Sequence, residues 1–163
     1  MKPYEGTDVS IVKSQEQIRY LLRKYGSDGI NFGEIWNQPP DWPKDKPFNP
    51  FIFVKFLYSI QRNQHFVIFK VPIPMVEKFS PAGRERTILQ KEQLQVKLER
   101  GLWRAVFWAI KSRMEAVEFG IETFMEAFLS HFAIPGTDTQ IGERIIPQLK
   151  TGHIRMLENA DKN

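Results

Sequence analysis

Phe51-Ile-Phe-Val-Lys-Phe-Leu-Tyr-Ser-Ile-Gln61 and His65-Phe-Val-Ile-Phe-Lys-Val-Pro-Ile73 are two runs of aromatic and β-branched residues separated by Arg62-Asn63-Gln64. Such runs on either side of a short polar break form a β-hairpin. Side chains alternate between the two faces of a strand, so each loop length makes a different forecast of which residues share a face. An even loop puts Ile52, Val54, Phe56, Tyr58 and Ile60 with Val67, Phe69, Val71 and Ile73, all apolar. An odd loop would set Lys70 among them. The even loop is expected, with Ile60 opposite Val67, Tyr58 opposite Phe69 and Phe56 opposite Val71. The other face then carries Phe51, Phe53, Lys55, Leu57, Ser59 and Gln61 with Phe66, Ile68 and Lys70. Pro72 and Pro74 place the end of the second strand at a sheet edge.

Downstream of the hairpin, 75–86 is a connector and about 87–119 a long helix, on the order of 50 Å if straight. Gly101 inside it admits a bend. Between Leu102 and Ile110 the helix is apolar almost all round, which places it in the core with Trp103 and Phe107 inward. Gly120 caps it, and a shorter helix runs from Ile121 to about Phe132. Pro135-Gly136 stops that helix. Thr137-Asp138-Thr139-Gln140 then reads as an N-cap for Ile141, Ile145 and Ile146 before Pro147. Residues 152–163 read as a polar, frayed tail.

Upstream, five prolines between Pro39 and Pro50 exclude a helix interior or a central strand. We read 37–50 as a surface loop pinned by Trp42 and Phe48. Ile30 and Phe32 suit a strand. Ser14-Gln15-Glu16-Gln17 has the form of a capping box, and Ile18, Leu21 and Leu22 give its helix an apolar face. Tyr25-Gly26 ends it. Residues 1–13 read as an extended arm with a short strand at Val9–Val12. The expected class is α+β: a small antiparallel sheet built on the hairpin at about 51–73, packed by the long helix and the one after it. At 163 residues the chain suits a single domain, 1–163.

Composition removes several function classes. A hydrophobic fraction of 42% excludes disorder throughout. No apolar run approaches the roughly 20 residues that span a bilayer, so no membrane role is expected. Met1-Lys2-Pro3-Tyr4-Glu5 does not resemble a signal peptide. The chain has no cysteine, which excludes disulfides, thiolate catalysis and Cys-ligated metal. His65, His131 and His153 lie too far apart in sequence to share a helix face around a metal. Neither a Gly-x-Ser-x-Gly nor a P-loop is present, and Gly29-Ile30-Asn31-Phe32-Gly33 is too sparse in glycine to cradle a phosphate. No catalytic residue, cofactor or metal is assigned. Glu115, Glu118, Glu122 and Glu126 recur at three and four residues. That stripe reads as a solvated helix face, with a Mg²⁺ or Mn²⁺ nuclease site as the alternative.

The net charge is only +4, but it is clustered. Arg84–Arg113 holds eight bases and three acids, whereas Glu115–Glu126 has four glutamates and no base. Cations and aromatics interleave on the outer hairpin face, where Phe53 and Phe66 stand with Lys55, Lys70 and the nearby Arg62. Single strands stack on such platforms. Arg100, Arg104 and Lys111 fall near one helix face and could line phosphates. Against this stand the readings in which helices cover the sheet and the bases are a solvated face.

Trp103-Arg104-Ala105, Ile110-Lys111, Glu115-Ala116-Val117-Glu118, Gly120-Ile121, Thr123-Phe124, Phe128-Leu129, Ile141-Gly142-Glu143 and Pro147-Gln148-Leu149 resemble a group of small uncharacterised proteins of phage and prophage-bearing genomes. The likeness covers about half of the chain, and 37–50 is an insertion relative to the group. It implies a mobile-element setting in the cytoplasm of a bacterial host, and it carries no activity. The reading is a non-catalytic accessory protein that binds single-stranded or duplex nucleic acid. Two alternatives stay open: an interaction module or oligomer subunit, and a metal-dependent nuclease.

Overall fold

The computed structural model describes residues 4–152; the tail assigned to 152–163 lies, from His153 on, outside them. Among the described residues there are one three-stranded antiparallel sheet and four α-helices. The order is α1 (Ile11–Lys24), β1 (Gly29–Ile35), β2 (Phe51–Ile60), β3 (Asn63–Pro72), α2 (Ile88–Glu118), α3 (Phe124–Phe128) and α4 (Ile141–Lys150), with strand order β1-β2-β3. The class is α+β. No helix among the described residues is long and apolar enough to cross a membrane.

The hairpin keeps its expected faces but not its expected partners. Tyr58 lies opposite His65 rather than Phe69, Phe56 opposite Val67 and Val54 opposite Phe69. The turn is only Gln61-Arg62, both at positive φ (49° and 70°), as a two-residue type I′ connection requires. Asn63 and Gln64, expected in the loop, extend the ladder instead. The apolar pattern decides only whether the loop is even or odd; every even slip preserves the faces. Lys70 accordingly points away from the apolar face.

The helix starts correct two expectations. Ser10, not Ser14, caps α1: its Oγ accepts the Lys13 N–H at 3.2 Å. The helix therefore begins where a short strand was expected, and Ser14 is buried inside it. Starting at Ile11 adds that residue to the stripe of Ile18, Leu21 and Leu22, so packing selects the earlier cap. The long helix matches its forecast, running between a Thr87–Gln90 capping box and Phe119. It passes through Gly101 unbroken, and there the arm crosses it. A Cβ on Gly101 would lie 3.0 Å from the Tyr4 carbonyl oxygen. Past its end, Gly120 at φ 71° completes a Schellman motif, with Gly120 N–H to Val117 O and Ile121 N–H to Ala116 O. The next helix is shorter than expected. It restarts only at a Thr123–Glu126 capping box, and Leu129–His131 is a 3₁₀ turn. The last helix runs through Pro147 to Lys150.

The apolar sheet face packs against α1, α2 and α3 around fully buried Ile18, Val54, Phe56, Trp103, Ile110 and Phe128. Phe32 of β1 meets Trp103 edge to face at 5.9 Å, and Phe56 meets Phe128 in the same manner. These contacts fix α2 and α3 to the inner face. The start of α4 meets the outer face through Glu143, which pairs with Lys70, and what covers the rest of that face decides where a ligand can sit.

Candidate ligand groove on the outer sheet face

Two irregular segments border the outer face. The proline-rich segment folds back from β1, and Trp42 packs edge to face on Phe48 at 5.2 Å and against Phe51 at 6.1 Å. The Trp42 indole N–H donates to the Lys46 carbonyl at 3.1 Å. The loop is pinned by Trp42 and Phe48, as its sequence suggests. On the other side, Phe132–Ile141 doubles back on itself, with Ile134 N–H to Thr139 O and Ile141 N–H to Phe132 O. Ala133 N–H donates to Phe66 O at 2.8 Å, and the Gln140 amide donates to Ile68 O. That pairing covers the free edge of β3.

Between these walls lies an open groove of about 600 Å³. Its floor is Phe53, Lys55, Ile68 and Lys70, and its walls include Trp42, Asp41, Asp138 and Glu143. Phe53 is held flat by the absence of a side chain opposite. Gly33 is its cross-strand partner, and a Cβ there would lie 2.3 Å from Phe53 Cε1. Glycine in a strand interior marks such close approach. Ile68 is only 2% exposed, so it underlies the floor and offers almost no surface to the groove.

The cations of the floor already have partners. Lys55 Nζ donates to Asp138 Oδ1 at 2.6 Å and sits 4.5 Å from the centre of the Phe66 ring. Lys70 Nζ donates to Glu143 Oε1 at 2.8 Å. Lys46, Lys55 and Lys70 are thus balanced by Asp41, Asp138 and Glu143 around the groove. Asp138 is 71% exposed. Ion pairs that open to water contribute about 0–1 kcal/mol, so an incoming anion can displace these carboxylates.

The residues singled out from sequence fall into two separate places. Phe53, Lys55 and Lys70 line the groove, and Phe66 stands exposed at its rim beneath Lys55. Arg62 is in the hairpin turn, roughly 17 Å of strand from Lys55. Arg100, Arg104 and Lys111 belong to α2, which packs on the opposite face of the sheet, so they form no single surface with the groove. Arg104 donates to Gln17 of α1 and lies over Phe107 and Trp108, at 4.6 and 5.3 Å. Lys111 pairs with Glu115 and also approaches Trp108. Arg100 borders a hollow beside Gly6-Thr7-Asp8. Sequence reasoning missed Asp138 and Glu143, which lie far along the chain from the lysines they meet. Gly33, a glycine inside a strand, is the sequence signal for the close approach of Phe53.

The glutamate stripe does not assemble. Gly120 interrupts the helix, Glu115 turns to Lys111, and Glu118 accepts from the Tyr25 hydroxyl. That contact pushes the Tyr25 phenol up to about 12. Glu126 caps Thr123, and the backbone hydrogen bond there holds its carboxyl below the usual range. His131 faces none of them. It stacks on Phe69 at 4.0 Å, and burial, reinforced by the Arg113 charge, pushes its imidazole down to about 4. Among the described residues no group of three or more His, Asp or Glu side chains could hold a metal ion. Comparison with protein-family models, curated proteins and solved structures finds no match for this chain.

Proposed function

We propose that this is a non-catalytic accessory protein of a phage or other mobile element, acting in the host cytoplasm, and that it binds single-stranded nucleic acid in the outer-face groove. The observation that carries the reading is Phe53, laid flat over Gly33 with Lys55 and Lys70 on the same floor. A base has a π face that stacks on such a ring, and each stacked base contributes about 1–3 kcal/mol. The neighbouring phosphates would take Lys55 and Lys70 from Asp138 and Glu143. The basic residues of α2 have no part in this reading.

One observation favours a second reading. The groove is charge-balanced as it stands, which suits a partner with both signs of charge, such as a peptide segment. Retention of labelled oligothymidylate at low salt separates the two. The nucleic-acid reading expects binding that weakens as salt rises, with a salt slope reduced by about one unit in each of Lys55→Gln and Lys70→Gln. It also expects tighter binding in the Asp138→Asn/Glu143→Gln double variant. Absence of binding by the native chain in low salt would remove the nucleic-acid reading and leave the peptide one.

A further inference from the structure

The two edges of the sheet are treated differently. The β3 edge is covered by Phe132–Ile141, which bonds to the Phe66 and Ile68 carbonyls. The other edge is β1, and among the described residues its backbone ladder runs to β2 alone. A strand in an antiparallel pair turns alternate backbone groups towards its neighbour and away from it. Half of the N–H and C=O groups of Gly29–Ile35 therefore face outward with no strand to meet them. Outside the ladder, a hydrogen bond reaches only the Gly29 carbonyl, from the Ser27 hydroxyl. The strand is seven residues long and has neither proline nor lysine, the residues that commonly blunt such an edge.

An open edge accepts an extended chain, and the charges beside it select which one. Ile30, Phe32 and Glu34 stand on the inner face, opposite Phe56, Val54 and Ile52. Arg19 of α1 lies over the Phe32 ring at 5.2 Å. It is exposed and makes no ion pair among the described residues. Arg23 is one turn further along α1 and so falls towards Ile30, because α1 leads into β1 through a short turn. Glu16 lies on the turn before Arg19, towards the far end of β1. Asp28, just ahead of the strand, accepts the Ser59 hydroxyl at 2.8 Å. Glu34 is the one charged residue of β1; it accepts the Trp36 indole N–H at 3.0 Å and pairs with no base. The edge thus calls for an extended segment with an acid opposite Ile30. A second β1 is extended, is free on the same side and carries that acid.

We propose that β1 pairs antiparallel with β1 of a second copy of this chain about a two-fold axis at Phe32, joining two three-stranded sheets into one of six strands. In that register all seven residues of the strand find a partner. Phe32 meets its own copy, and Glu34 of each chain stands opposite Ile30 of the other, between Arg19 and Arg23. Side chains directly opposite in such a ladder have Cβ atoms about 4.5–5.5 Å apart, within reach of an arginine. The contact is isologous, so it closes at two chains. The remaining edges of the joined sheet are the two β3 strands, which are already covered. The axis runs through the sheet, so both outer-face grooves lie on one side of the dimer. The pairing does not depend on what those grooves bind.

A charge swap in the ultracentrifuge tests this with the full chain. The native chain should rise from one to two chains between micromolar and millimolar concentration and go no further. Arg19→Glu sets acid against acid across the axis, and Glu34→Arg sets base against base. Each variant alone should dimerise at least about tenfold more weakly than the native chain. An equal mixture of the two opposes Glu with Arg at both contacts, so it should form a heterodimer near native strength. Both positions are exposed, so both variants should melt like the native chain. If Arg19→Glu does not, because Phe32 loses its cover, hydrogen exchange on the native chain decides. The outward amides of β1 should then exchange more slowly in concentrated than in dilute samples, while those of β2 do not change. A native chain that stays single to millimolar concentration, or that grows past two, would overturn the proposal. So would a dimer whose β1 amides exchange as in the monomer, either variant associating like the native chain, or a mixture that does not pair.

Discussion

Replacing Gly33 with alanine should separate the groove from the fold. An added methyl would lie 2.3 Å from Phe53 Cε1, 2.4 Å from Cζ and 3.2 Å from Cδ1. Carbon contacts settle at about 3.5–4.0 Å, so the ring has to move by more than an ångström. It is the free end of a flexible side chain above an open groove, and it can swing off at a cost of about 0.5–1.5 kcal/mol. The Gly33 backbone is not left-handed, so alanine fits, and removing glycine's freedom from the unfolded chain returns about 0.4–1 kcal/mol. The net change in stability should stay within about 1 kcal/mol. The platform, however, is lost. Binding of single strands should weaken by about 1–3 kcal/mol, or about fivefold to 150-fold. Anisotropy of labelled oligothymidylate and a thermal melt on the same sample give both numbers, with Phe53→Ala as the reference for complete loss. Native affinity in Gly33→Ala would refute Phe53 as the platform. A melting loss as large as that of a core deletion would show that Phe53 belongs to the packing and not to a site.

Four further outcomes follow from the packing and caps. Ser10→Ala should cost about 0.5–2 kcal/mol as a lost N-cap. Ser14→Ala should be neutral or stabilising, because its buried Oγ has no hydrogen-bond partner; the reverse order in urea melts would restore the later helix start. Trp103→Ala should cost about 3–5 kcal/mol in the same assay, since the ring is 0% exposed, and a loss under about 1 kcal/mol would contradict its burial. The His131 imidazole is pushed down from 6.5 to about 4. The unfolded chain therefore binds the proton first, and this contribution to stability is complete above pH 6.5 and fades as pH falls towards 4. His131→Gln should flatten that part of the stability–pH curve, and an unchanged curve would count against the buried neutral ring.

Much of the fold was legible in the sequence because its strongest signals are local. Two apolar runs with period two specify a hairpin and its faces, and Thr87 and Gly120 bracket α2 with chemistry confined to its own ends. What failed was also local in cause. Facing is insensitive to an even slip, so the pattern alone allows Tyr58 opposite Phe69, whereas the two-residue turn sets it against His65. Ser10 and Ser14 are both competent caps, and the choice rests on where Ile11 packs. The groove was half legible. Alternation puts Phe53, Lys55 and Lys70 on one face, but nothing near them in sequence announces Asp138 and Glu143, which tertiary folding delivers. Arg100, Arg104 and Lys111 were grouped with them by charge, and only the packing of Trp103 on Phe32 shows that a sheet lies between.

The central claim is that the outer sheet face is the seat of a single-stranded ligand. Titration of unlabelled oligothymidylate into the ¹⁵N-labelled chain at low salt, followed by amide shifts, addresses it directly. The account predicts that the largest shifts fall on Gly33, Phe53, Lys55, Lys70 and Asp138 and fade as salt is raised. Shifts confined to the flank of α2 at Arg104–Lys111, or no shifts at all, would contradict it.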